Sequence, residues 1–343
     1  MNVEDILNEH LDMVDNEIKD LFKGHNFPSK LYDMMQYHMG WLDENFKTTT
    51  QYGGKRFRPT LCLLVYNALS GVYDKALPAA AALELIHNFS LIHDDIEDRD
   101  ETRRHKPTIW KLWGEVQGIN TGDGMHVLAN LAALRLRERD VSDSRVVDVL
   151  KILNETVMRL CEGQYLDMSF EETMDVTTDM YLDMVSRKTA ALIRATTEIG
   201  ALLATENEEM IKHFKNFGEM IGIGFQIRDD IIGVWEKSES TGKPKASDIR
   251  NKKKSLPVIH ALEKSSKEQR KAMQAIYAKE KLTDKDVEKV LDILHKAGSY
   301  EYSQNVAKKY ENEALKELSN IKVNNKAMDR IKELAMFLVR RSY

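Results

Sequence analysis

The sequence predicts an all-α fold, a single large helical bundle over residues 1–343, on three observations. Only six prolines occur, and none lies between Pro107 and Pro244, whereas a sandwich or doubly wound sheet needs chain breakers far more often. Apolar residues recur with helical period, as Ala82, Leu85, Ile86, Phe89 and Ile92 do at i, i+3, i+4, i+7 and i+10. Composition is even along the chain, without a Gly-Ser or Pro-rich linker, a low-complexity tract or a fixed-period repeat. With 42% hydrophobic and 31% charged residues, there is apolar material for a large core, and global disorder is excluded.

Taken in order, the first twenty residues alternate acids with isolated apolar side chains and hold no apolar run of signal or membrane-span length. A cytoplasmic location without membrane insertion is therefore expected. Turn chemistry clusters at 51–54, 70–74, 98–107, 117–124, 171–178 and 236–248, and these are the expected helix breaks. Residues 181–202 space their apolar positions by three and four, which predicts continuous helix. From about 262 onward, Lys and Glu at mixed spacing predict solvated amphipathic helices. Fifty basic against 55 acidic residues give a net charge of −5, which argues against a general nucleic-acid or anionic-membrane binder. Any basic site must be local. Cys62 and Cys161 sit in apolar segments without metal-type spacing, so both are expected as reduced, buried thiols.

Chemistry concentrates in a few segments. His87, Asp94 and Asp98 fall at i, i+7 and i+11 of an apolar helix, on one stripe, with the two acids one turn apart. Like charges at that spacing repel, which makes sense where Mg²⁺ takes one or two carboxylates and completes its shell with water and substrate phosphate. The alternative is a solvated acidic helix end. Arg103-Arg104-His105-Lys106 follows within about ten residues, read either as a salt-bridged loop or as an anion site. A second basic cluster, Gly53-Gly54-Lys55-Arg56-Phe57-Arg58-Pro59, lets backbone approach closely while Lys55 and Arg58 address one anion. It lacks the spacing of a Walker A loop. Gln226, Asp229, Asp230 and Gly233 form a second polar face at i, i+3, i+4 and i+7. Two acid pairs on apolar helices with separate basic clusters suggest cations holding a diphosphate beside a greasy cavity. Gly242-Lys243-Pro244 and Lys252-Lys253-Lys254 could close over it, or form a solvated loop.

At these residues the sequence resembles the trans-isoprenyl diphosphate synthase, or polyprenyl synthetase, family. Asp94-Asp95-Ile96-Glu97-Asp98 matches its first aspartate-rich motif and Gly54-Lys55-Arg56-Phe57-Arg58-Pro59 its homoallylic-substrate motif, with at least five motifs in order from about Gly53 to Pro257. The resemblance implies a helical bundle around a deep cavity, with Asp94 and Asp229 facing each other at its mouth. It further implies Mg²⁺, three ions per active site, held by Asp94, Asp98, Asp229 and Asp230. Arg103 would contact the allylic diphosphate, and Gly54, Lys55, Arg58, His87 and Arg104 would hold isopentenyl diphosphate. Lys188, Thr189 and Gln226 would stand beside the reacting carbons, and Lys243 and Lys253 would close the cage around the leaving group. A homodimer is the family habit.

The sequence also departs from the family pattern. Gly233 stands where the second motif usually ends in Asp, and Ala246 and Lys252 stand where the flap usually has Gly. Phe89, five residues before Asp94, lies about 7.5 Å deeper along a helix axis. An aromatic there serves the family as a floor, and with the small Ser90 it resembles short-chain geranylgeranyl synthases. The expected product is C20, with farnesyl or C25 as alternatives. Rival readings are a class I terpene cyclase, which would leave Lys55, Arg58 and Arg104 without purpose, and a non-catalytic regulatory homologue, supported by Gly233 and the altered flap.

Overall fold

The computed structural model describes residues 3–23, 28–49, 54–236 and 246–340. Helices dominate them: α1 Val3–Phe22, α2 Ser29–Met39, α3 Phe57–Ser70, α4 Leu77–Glu97, α5 Ile109–Trp113, α6 Glu115–Leu134, α7 Asp143–Glu171 and α8 Thr178–Val185. They continue with α9 Ala191–Ala204, α10 Glu208–Trp235, α11 Ser247–Arg250, α12 Leu256–Lys264, α13 Lys267–Tyr277, α14 Asp284–Lys296, α15 Ser299–Asn320 and α16 Lys326–Arg340. Among the described residues the strands are a two-residue antiparallel pair, Thr102–Arg103 with Lys106–Pro107. The all-α expectation is met. Described residues of 1–157, 195–214 and 322–334 form one compact unit, and those of 158–194, 215–321 and 335–343 form another.

In the first unit, α4 shows why this chain is helical. Proline at its start presets φ, and four alanines with the best helix propensity follow. Ala79 to Leu83 are all fully buried, so the helix enters as a core element on every face. Burial becomes one-sided further on, where Phe89 and Ile92 stay inside while Asp94 is half-buried and Asp98 exposed.

The break expected at 117–124 is not there, because those residues lie within α6. Their glycines serve packing. A Cβ on Gly118 would come within 2.7 Å of Ile96 Cδ1, and one on Gly122 would collide with the His93 ring. The composition of a turn here marks close approach of α4 and α6.

Ahead of α3, Arg56 adopts φ +48° and is 2% exposed. Its Nε donates to Asp15 Oδ1 at 2.7 Å, and its two terminal nitrogens donate to Glu84 Oε1 and the Met39 carbonyl at 3.2 Å. Asp15 also accepts from Trp41 Nε1 at 2.8 Å. This buried pairing ties the basic loop to α1 and α4.

In the second unit, the continuous helix expected over 181–202 is interrupted by a π turn, Ser186–Ala190, between α8 and α9. Such wide turns insert one residue and concentrate at functional positions. Two glycines accommodate it. A Cβ on Gly163 of α7 would lie 2.6 Å from Lys188 Cα, and one on Gly222 of α10 would lie 2.6 Å from Ala190 Cα.

The flap ends in α11, bracketed by Ala246 at φ +59° and Lys252 at φ +55°. Both are left-handed positions, where glycine costs least. The C-terminal helices start with capping boxes, Ser266 with Gln269 and Thr283 with Asp286, and are amphipathic as expected.

The thiols divide. Cys62 is buried and burial pushes it up to about 12, as expected, but Cys161 is exposed. On α7 the neighbours Leu160 and Gly163 take the inward face, leaving Cys161 on the outer one.

Candidate active site

In the first unit, the antiparallel pair Thr102–Arg103 and Lys106–Pro107 folds back at Arg104 and His105, at φ +51° and +62°. That reversal lines a small recess with Tyr37, His38, Asp95, Arg103, Arg104, Lys106, Pro107, Thr108 and Ile109. Gly54 belongs beside it, since a Cβ there would stand 3.0 Å from Arg104 Nη2. Arg104 Nη1 and His38 Nε2 are buried with no hydrogen-bond partner among the described residues. Orphaned buried polar nitrogens carry a desolvation cost of about 1–3 kcal/mol each, which an incoming anion offsets at a donor such as Arg104.

Charge in this region is strongly positive. Burial, reinforced by Arg104 and Lys106, holds His38 well below its ordinary range. Burial, reinforced by Arg58, Arg104 and Arg103, does the same to His87. Both imidazoles are neutral at pH 7. Lys106 is brought down to about 8 by burial and by Arg104, while its Nζ donates to the Tyr37 carbonyl and lies 4.0 Å from that ring centroid.

The first acid motif divides into inner and outer acids. Asp95 is 2% exposed and accepts from Arg103 Nε at 2.6 Å. Burial pushes its carboxyl up to about 6 despite that guanidinium. Asp94 and Asp98, whose backbones bond N–H to carbonyl at 2.8 Å, lie on the half-buried and exposed side. Their hard oxygens, one turn apart at a helix end, fit Mg²⁺ shared with a phosphate. No cluster of three His, Cys, Asp or Glu suited to a metal occurs among the described residues. Phe89, 7% exposed, packs with ring centroids 5.7 Å from His93 and 5.0 Å from His126. Ser90 Oγ donates to the His87 carbonyl at 2.9 Å.

In the second unit, Lys188 and Thr189 lie on the π turn. Lys188 Nζ donates to Asp167, and Thr189 Oγ1 donates to Gln226 Oε1 at 2.8 Å. Gln226 Nε2 in turn donates to Asp230 Oδ1 at 3.0 Å. Asp230, fully buried, also accepts from Lys253 Nζ at 2.9 Å, Tyr181 OH at 2.6 Å and Leu256 N at 3.0 Å. Burial alone would lower Lys253, but Asp230, Asp248 and Asp229 hold it well above its ordinary range. Asp229, by contrast, is exposed.

At Gly233 the space an acid's Cβ would need is filled. The Asp248 carboxylate lies within 2.5 Å of that point, so α11 brings a carboxylate to the place where α10 lacks one.

Gly54, Lys55, Arg58, His87, Phe89, Ser90, Asp94, Asp98, Arg103 and Arg104 all belong to the first unit, and Lys188, Thr189, Gln226, Asp229, Asp230 and Lys253 to the second. Lys243 lies outside the described residues. Sequence reasoning missed His38, Lys106 as a wall of the recess, Asp167 and Tyr181. The first stands far from any motif, and the others declare themselves only through their partners.

Comparison with known proteins identifies the family. The polyprenyl synthetase family model matches residues 39–294. A short chain isoprenyl diphosphate synthase of Methanothermobacter thermautotrophicus is 38% identical over 307 residues, covering 90% of this chain and 89% of that protein. A (2E,6E)-farnesyl diphosphate synthase of Mycobacterium tuberculosis is 33% identical over 311 residues, covering 90% and 85%. The crystal structure of geranylgeranyl pyrophosphate synthetase from Pyrococcus horikoshii Ot3 aligns with TM-score 0.89 and 34% identity, covering 99% of this chain and 98% of that one. With the family model spanning most of its length and these relatives nearly all of it, the chain belongs to the polyprenyl synthetase family of trans-prenyltransferases.

Proposed function

We propose that the chain condenses isopentenyl diphosphate with an allylic diphosphate to give a trans-polyprenyl diphosphate of C20. The observation that carries this reading is the basic recess, where Arg104 Nη1 is buried without a partner among the described residues beside Gly54, His38 and Lys106. It supports a basic diphosphate site in addition to the one assigned to the metal-bound allylic diphosphate, and a terpene cyclase, which takes no isopentenyl diphosphate, does not need that second site.

In the proposed reaction Gly54, Lys55, Arg58, His87 and Arg104 hold isopentenyl diphosphate, and Arg103 contacts the allylic diphosphate. Asp94, Asp98 and Asp229 would hold Mg²⁺, whereas Asp230, expected from the sequence as a further ligand, is fully buried with both oxygens taken by donors and is left out of the metal set. When bound, the metal neutralises charge building on the departing diphosphate. Lys253, kept charged by its carboxylate neighbours, adds to that stabilisation, with Lys243 assigned the same part. The allylic carbon–oxygen bond breaks, the alkene of isopentenyl diphosphate supplies the electron pair for the new carbon–carbon bond, and a proton leaves to the released diphosphate. Lys188, Thr189 and Gln226 are assigned a place beside the reacting carbons. No nucleophilic side chain is needed.

Product length rests on Phe89, braced by His93 and His126. The proposal includes a homodimer, supported by an exposed apolar stripe on α6, and a cytoplasmic setting.

The test is incubation of the purified chain alone with Mg²⁺, isopentenyl diphosphate and farnesyl diphosphate, with pyrophosphate release and product size as readouts. Elongation to C20 is expected, and longer products from Phe89→Ala. Absence of elongation overturns the reading in favour of a regulatory homologue, and a cyclised product without isopentenyl diphosphate favours the cyclase.

A further inference from the structure

We infer that Asp230, held in place by Tyr181, is a positioning residue that sets the hydrogen-bond polarity of Gln226 and Thr189, so that Thr189 presents oxygen lone pairs rather than its proton to the reacting carbons. The inference deepens the proposed function and rests on it for the position of Thr189.

The polarity follows from what each group can do. Lys253 Nζ at Oδ1 and the Leu256 amide at Oδ2 are donors with no capacity to accept. With a donor-only group on each oxygen, Asp230 is an acceptor throughout. Gln226 must therefore turn its amide nitrogen toward Asp230 Oδ1, at 3.0 Å, and its oxygen toward Thr189. An amide oxygen only accepts, so the Thr189 hydroxyl, 2.8 Å away, spends its proton on Gln226. Both lone pairs of Thr189 Oγ1 remain.

Near an allylic cation this sign matters. The negative end of a hydroxyl dipole favours the cation, whereas a free O–H that rotated toward it would oppose it. Preorganised dipoles of this kind need no reorganisation as charge develops.

Tyr181 holds the far end of the chain. Its OH donates to Asp230 Oδ2 at 2.6 Å, its ring is 1% exposed, and it sits on α8, one turn before the π turn that carries Thr189. Four donors on two oxygens leave this carboxylate no freedom to rotate. Asp230 thus serves as the anchor of the chain, a part distinct from that of exposed Asp229.

The experiment is a double-mutant cycle in the full-length enzyme, combining Tyr181→Phe with Thr189→Val. Tyr181→Phe is expected to lower kcat about tenfold with KM for both diphosphates within about twofold. In the Thr189→Val background its further effect is expected to fall below about twofold, because its route to the chemistry is gone. Thr189→Ser, which keeps the hydroxyl, is expected to restore sensitivity to Tyr181→Phe. Thermal unfolding of each variant reports whether the fold is intact. Penalties that multiply, a change in KM with kcat unaltered, or insensitivity in Thr189→Ser overturn the inference. Should Tyr181→Phe not fold, the Gln226→Met and Thr189→Val cycle reads the same coupling, and multiplied penalties there overturn it equally. A wild-type chain that fails to elongate isopentenyl diphosphate refutes the proposed function itself. An active wild type with multiplied penalties refutes the polarity chain alone.

Discussion

Arg56 illustrates how much of a basic motif can be scaffold. Its neighbours in the sequence, Lys55 and Arg58, are exposed and half-buried, while Arg56 is buried against two carboxylates. Arg56→Met would leave Asp15 and Glu84 as buried charges without their cation, a situation that typically costs about 3–5 kcal/mol. Denaturant unfolding should show a loss of that order. Lys106 makes the complementary case, a buried cation poised to titrate. Brought down to about 8, it is charged below that pH and neutral above it. A diphosphate prefers the charged form, so isopentenyl diphosphate affinity should weaken by about tenfold between pH 7 and 9. Fold stability runs the other way, because the unfolded chain binds more protons at Lys106 between about 8 and its ordinary value, so this residue's contribution rises with pH there. Calorimetric titration across pH checks the affinity, and Lys106→Arg should flatten its pH dependence. A slope unchanged in that variant would remove Lys106 from the anion site.

At the scale of elements, the π turn depends on glycines in two neighbouring helices. In an exposed helix, Gly→Ala stabilises by about 1 kcal/mol through helix propensity. At Gly163 the new methyl would meet Lys188 backbone at 2.6 Å, and overpacking against groups that cannot rotate away costs about 1–3 kcal/mol. The clash outweighs the propensity gain, so Gly163→Ala should lower the melting temperature and, by displacing Lys188 and Thr189, reduce kcat. A rise in melting temperature would refute the close approach. The same glycines explain which features were legible in the sequence. Apolar spacing revealed α4, and the acids at its end lay where that period put them. The period could not reveal a one-residue insertion at 186–190, nor distinguish Gly118 and Gly122 as contact points from Gly71 as a true helix terminator at φ +81°. Both distinctions reside in partners far away along the chain. Tyr181 shows the same limit within the site, since only the arrival of Asp230 at 2.6 Å separates it from an ordinary core tyrosine.

For the whole molecule, the outer face of α6 raises the question of what covers it. Val116, Ile119, Val127, Leu131 and Leu134 are 69%, 47%, 57%, 42% and 42% exposed. At 100° per residue they fall on one stripe running about 27 Å along the helix. Asp123 interrupts the stripe, and His93 Nε2 stands 3.6 Å from its Oδ1. A nearly uncharged stripe has no charge pattern with which to select a differently charged partner, but a second copy of itself is complementary by two-fold symmetry, where each copy's stripe covers the other's. Exposed runs of this kind mark association surfaces rather than ordinary solvent-facing helix. Sedimentation velocity should therefore give twice the chain mass for the wild type. Leu131→Asp, which places like charges opposite each other across the two-fold axis, should shift the equilibrium to monomer while α6 itself keeps its helical signal in circular dichroism. A wild type that sediments as a monomer at micromolar concentration, or a Leu131→Asp variant that remains dimeric, would assign the stripe to some other occupant.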